Sequence, residues 1–164
     1  MPDLKPPRLA TDERDTLLTM LWFQRESLVR KVTGAPSDAA SPVGSGTTLL
    51  WLVRHLAWAE MLWIADRFAG LVVDLPSDAI ADGDSIEAAV ADYREVWTRV
   101  DAIVARASLE DTCRRGEPAN LRWVLTHLLA ETARHAGHAD IIRESLDGRT
   151  AFELVALERG PSRG

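Results

Sequence analysis

Apolar residues recur along the chain at intervals of three and four in four separate stretches, the spacing that lines one face of an α-helix. From about Asp12 to Val32, Leu17, Leu18, Leu21, Trp22, Leu28 and Val29 share one stripe, with Thr11 or Asp12 as its cap and Gly34-Ala35-Pro36 as its end. A second stripe starts at Thr47 or Thr48, runs through Leu52, His55, Leu56, Ala59, Leu62 and Trp63 to about Phe68, and is closed by Gly70. Asp84 or Ser85 caps a third, carrying Ile86, Val90, Tyr93, Val96, Trp97, Val100, Ile103 and Val104. Asn120 caps the last and longest, from Leu121 to about Leu146 before Asp147-Gly148.

Between the stripes lie a Ser/Pro/Gly-rich loop over 35–46, a crossover loop over 71–83 and a charged loop around 110–118. Pro2, Pro6 and Pro7 make residues 1–11 an extended arm, and the tail 149–164 is expected to add a short helical turn. Four helices of about 20 residues joined by such loops predict an all-α four-helix bundle with long crossover loops, folded as a single domain over residues 1–164. No strand-like alternation competes, and no repeat stands out at a solenoid period. The six tryptophans are spread over all four helices and are expected to fill the core or its rim, with Trp58 and Trp63 placed to line a ligand pocket beside His55.

Composition narrows the function classes. An apolar fraction of 46% against 27% charged residues describes a folded chain rather than a disordered one. A net charge of −6 without a basic cluster argues against a nucleic-acid partner. No run approaches the roughly 20 apolar residues that span a bilayer, and the N-terminus lacks a signal-peptide core, so a cytoplasmic protein with no membrane association is expected. Cys113 is the only cysteine, which rules out an intramolecular disulfide and reads as an inert loop thiol. A homodimer is expected from the apolar residues of the tail.

The chemistry concentrates in the fourth stripe. Of the four histidines, three lie in helix four with Glu131 among them. Measured from His127, Glu131 falls at about 40°, His135 at about 80° and His138 at about 20°, on the same side as Val124 and Ile142. Ionisable groups that point toward a core must be satisfied by one another, by water or by a metal. His55 shares the apolar face of helix two, so the two helices can bring imidazoles and a carboxylate together. Two imidazoles, one carboxylate and an open position form a divalent-metal site of catalytic type, with zinc the first expectation, nickel the second, and iron or manganese also suited. A His135/His138 pair three residues apart is an alternative chelate, and a buried hydrogen-bonded network without metal is the plainer reading. HExxH, the phosphate-binding GxxxxGK[ST], GxGxxG and GxSxG motifs are all absent.

LVRHLAWAE in helix two together with WVLTHLLAETARHAGHADIIRESLDG in helix four resembles the DinB-like superfamily, over nearly the whole chain from Leu17 to Gly148. That superfamily's usual pattern is one histidine from helix two and a His-xxx-His pair from helix four. Here Glu131 stands where the first histidine of the pair is expected and His138 replaces a glutamine, a departure that is similar to the mycothiol-dependent maleylpyruvate isomerases. The resemblance implies His55, Glu131 and His135 as metal ligands, with His127 and His138 left as acids, bases or alternates.

It also implies a small-molecule substrate and a low-molecular-weight thiol as co-reactant, in a transferase or isomerase. A bound divalent ion would lower the pKa of a thiol or water, His138 or His127 would move the proton, Arg134 would hold a substrate carboxylate and Trp58 would line the pocket. Two rival expectations are a non-catalytic metal-binding or stress-related structural bundle, and a ligand-binding module without metal.

Overall fold

The computed structural model describes residues 5–150 and Leu154. Four α-helices follow one another: α1 (Glu13–Val32), α2 (Leu49–Glu60), α3 (Ile86–Val104) and α4 (Leu121–Asp147). The described residues contain no strand beyond two isolated bridges, so the all-α expectation holds. Each helix begins at a side chain foreseen as a cap. Asp12, Thr48, Ser85 and Asn120 each accept the backbone N–H three residues on, filling donors that the first turn leaves unpaired. Gly148 closes α4 in the left-handed conformation at φ 71°. Of the tail, only Leu154 among residues 151–164 is described, and it is buried; the rest of the expected turn lies outside the described residues.

One apolar cluster joins the helices, with α1 packed mainly on α4 and α2 mainly on α3. Two charged groups are tied into it. Arg25 of α1 donates to both Glu60 oxygens, at 2.9 and 2.5 Å, and to Asp101 of α3 at 3.0 Å, while the Tyr93 hydroxyl donates to Glu60 at 2.8 Å. Arg143 of α4 donates to the carbonyls of Lys31 and Thr33, satisfying the end of α1. These pairings let charge lie inside a core that would otherwise expel it.

Two expectations need correcting. The stripe of α1 that is buried runs Leu21, Arg25, Leu28, Val29 and Val32, so Trp22 falls beside it and stands 51% exposed. Trp123 is likewise 49% exposed, and of the six tryptophans only Trp97 is buried. The second difference concerns helix two, which is α-helical only to Glu60 and continues as a π-helix over Met61–Phe68, ending with Ala69 N–H bonded to Ile64 carbonyl at 2.9 Å. No Pro or Gly within those residues marks the change in winding.

Taken in chain order as two helical pairs, α1–α2 and α3–α4, the second helix of each starts on one plan. Ala40 bridges Thr48 before α2, as Thr112 bridges Asn120 before α4. Leu49 N–H bonds Ala39 carbonyl at 3.0 Å, as Leu121 N–H bonds Asp111 at 2.9 Å. Ser41 bonds Thr47 at 2.7 Å, as Cys113 bonds Ala119 at 2.8 Å. Both helices then open with Leu-x-Trp-x-x-x-His: Leu49, Trp51 and His55 in one, Leu121, Trp123 and His127 in the other.

Candidate metal centre

His55 in the middle of α2 and Glu131 and His135 in the middle of α4 meet across the helix interface. Their donor atoms all lie within 4.8 Å of one another. Glu131 Oε1 is the shared point, 3.3 Å from His55 Nε2 and 3.0 Å from His135 Nε2. Glu131 and His135 stand on one face because they are four residues apart on a helix. Both His55 and Glu131 keep 17% of their side-chain surface, so the centre is shielded but open on one side.

Electrostatics suit the group to a cation. Burial pushes the Glu131 carboxyl up, but hydrogen bonds from His55 and His135 and the charge of Arg134 outweigh it and hold the carboxyl below its usual value. Burial pushes His135 down against the pull of Glu131, with His55 and His138 adding to the fall. The resulting carboxylate and neutral imidazole are the protonation states a metal requires.

Tautomers supply a sharper test of fit. For neutral rings, both Nε2 atoms must carry hydrogen to donate to Oε1, which leaves each Nδ1 as an acceptor. His138 Nδ1, 3.3 Å from His135 Nδ1, can serve one of them. His55 Nδ1 is buried and has no hydrogen-bond partner, and the Asp78 side chain offers it only an acceptor oxygen at 3.9 Å. A cation at Nε2 reverses the arrangement: the ring hydrogen moves to Nδ1, where the Asp78 carboxylate faces it. The orphaned atom therefore fits a metal-bound His55 better than a hydrogen-bonded one.

The remaining expected residues fall into different places. His138 is exposed and touches the centre only through His135. His127 stands two turns before His135, parallel to Trp123 at 5.1 Å between ring centres and edge-on to Trp63 at 4.7 Å. Arg134 donates to Glu131 Oε2 at 2.7 Å, leaving Oε1 to the imidazoles. Trp58 stacks on His55 at 5.7 Å, as expected of a neighbour of that face, whereas Trp63 belongs to His127. Arg67 lies over the Trp63 ring at 4.6 Å and extends that second cluster.

Two residues escaped the sequence reading. Trp51 stacks on His55 at 4.6 Å and meets His135 edge-on at 6.1 Å, and the Leu-x-Trp-x-x-x-His repeat was the signal that marked it. Asp78 lies in a loop far from either helix in sequence, and nothing local identified it. Cys113 is half-buried, and burial raises its thiol pKa, which agrees with an unreactive side chain. No described helix is long and apolar enough to cross a membrane.

No curated protein matches the chain. The family model described as mycothiol-S-transferase matches residues 16–148, a span that takes in α2, α3 and α4 whole, all but the first three residues of α1, and every donor of the centre. With the four-helix bundle and the converging imidazoles and carboxylate, that match places the chain in the mycothiol-S-transferase family, one of the DinB-like families.

Proposed function

We propose that the protein is a divalent-metal-dependent transferase that joins a low-molecular-weight thiol of the mycothiol type to a small electrophilic substrate, with His55, Glu131 and His135 as the metal ligands. The convergence of these three donor sets, with His55 Nδ1 left without a partner, carries the reading. Zinc is the ion this donor set fits first and nickel the second. A divalent ion bound there supplies a positive charge that favours the thiolate over the thiol at neutral pH.

The chain's own residues do the rest. Trp51 and Trp58 sandwich the His55 ring and fix its plane, so Nε2 stays aimed at Glu131. Asp78, 3.9 Å from His55 Nδ1, would draw the ring hydrogen to that atom once Nε2 is given to a cation. Arg134 occupies Glu131 Oε2, which keeps Oε1 available to the centre. His138, exposed and in contact with His135, is placed to take the proton that the thiol gives up, whereas the His127 ring is engaged between Trp123 and Trp63.

Elemental analysis of protein purified without a polyhistidine tag, followed by assay of thiol consumption with an added electrophile, tests the reading. Bound zinc or nickel that is lost in His55→Ala, together with metal-dependent thiol consumption in the wild type, is the expected result. Metal without turnover would favour the structural-bundle alternative, and absence of metal would overturn both.

A further inference from the structure

A small cavity of about 270 Å³ opens between α4 and the loop that precedes α2, with His138 in its wall. Val43, His138, Ile141 and Ile142 form most of its walls, with Ser41 and Thr47 at the loop edge. We propose that this cavity is the subsite for an uncharged, apolar group of the electrophilic substrate; the proposal rests on the transferase reading above and names the substrate class.

Three observations support that occupant. Val43 is 66% exposed and Ile141 57%, so two large apolar side chains are kept in water in the lining of one depression, which the buried Ile142 also lines. The loop holding Val43 is fixed: Ala40 bridges Thr48, Ser41 N–H bonds the Thr47 carbonyl at 2.7 Å, and Ser45 N–H bonds the Val43 carbonyl at 2.8 Å. The wall is therefore preformed. Finally, His138 belongs both to the cavity and to the contact with His135 Nδ1, so one side chain links a group seated there to the centre.

Size and the lack of charged groups make this a poor seat for the whole thiol. A sugar-bearing thiol needs hydrogen-bond partners, and no lysine, arginine or carboxylate lines the cavity. Ser41 and Ser45 already accept from the backbone of Val43 and Thr47. A cavity of roughly 150 Å³ accommodates benzene, and whole drug-sized ligands occupy roughly 300–1,000 Å³. The available space fits one ring or a short alkyl chain, which is a portion of a substrate.

The test uses the protein as purified, with labelled Ile and Val methyl groups, titrated with benzyl alcohol and, separately, with myo-inositol. Saturable shifts of the Val43, Ile141 and Ile142 methyls with benzyl alcohol and none with inositol are expected. Ile141→Asp and Val43→Asp, both at exposed positions, should each weaken benzyl alcohol binding about tenfold or more, while zinc affinity measured against a chromophoric chelator stays unchanged. Equal response to inositol, no saturable shift, or methyl shifts that follow protein concentration alone, as a second copy seated there would give, would overturn the proposal. Benzyl alcohol binding without zinc binding would sink the metal reading alone; zinc binding without benzyl alcohol binding would sink this one alone.

Discussion

His127 is the counterpart of His55 in the second helical pair, yet only His55 faces a carboxylate. Each follows its tryptophan by four residues and stacks on it, His55 on Trp51 at an interplanar angle of 15° and His127 on Trp123 at 8°. The partners across the interface differ. His55 meets His135 at 4.9 Å between ring centres, whereas His127 meets Trp63. An imidazole therefore stands in a donor set at one place and in an aromatic cluster at the other.

That contrast gives a paired prediction. His55→Ala and Trp51→Ala should weaken zinc binding, the first by abolishing a donor and the second by freeing the ring. His127→Ala and Trp123→Ala should leave zinc affinity within about twofold, because such a factor is worth under roughly 0.5 kcal/mol. Competition with a chromophoric chelator separates the two pairs, and equal losses from both would defeat the assignment.

Asp78 is expected to act on affinity through His55. Asp78→Asn keeps size and removes the charge that faces Nδ1, so zinc affinity should fall about 10–100-fold. Isothermal calorimetry of the refolded apo protein measures it, with circular dichroism confirming an unchanged helical content. An unchanged affinity would show that the loop carboxylate does not hold the tautomer.

Acidification should destabilise the metal-free protein in two steps. His135 is held below its ordinary value of 6.5, so the unfolded chain takes up a proton before the folded one does. Its contribution is thus complete above 6.5 and is lost as pH falls from there toward the lower folded pKa. Glu131 is likewise held below 4.5, so its contribution is lost as pH falls beneath 4.5. Urea midpoints recorded across this range should fall in both windows, and His135→Gln should remove the upper step.

The Arg25–Glu60 pair makes a prediction about stability away from the centre. Glu60→Ala leaves a guanidinium buried against Trp97 and Tyr93 with only the half-exposed Asp101 as partner, and should cost about 3–5 kcal/mol. Replacing both residues, Arg25→Met with Glu60→Leu, should cost less than Glu60→Ala alone, since no charge is then stranded. Urea denaturation checks both, and a smaller loss in the single variant would contradict the pairing.

Much of this was legible in the residues. The caps Asp12, Thr48, Ser85 and Asn120 mark helix starts by local chemistry, and the spacing from Glu131 to His135 fixes a shared face whatever surrounds it. His55 could be matched to that face because α2 is apolar on the same side. The π-helical winding over Met61–Phe68 was not legible, because no Pro or Gly within those residues marks it. Asp78 was hidden for a similar reason: a loop position acquires its neighbour only when the chain is folded. Trp22 and Trp123 misled because indole size was read as burial, whereas Leu21 and Val124 take the core positions next to them.

His55 comes from α2 and Glu131 with His135 from α4, helices that pack mainly on α3 and α1, so a cation shared among them would tie α2 to α4 directly. Occupancy and unfolding must then be coupled by mass action. At free zinc a hundredfold above its dissociation constant, the folded chain would gain about 2.7 kcal/mol, and stripping the ion would loosen the seam between α2 and α4. Heat resistance of the protein thereby becomes a gauge of how well it is supplied with its ion.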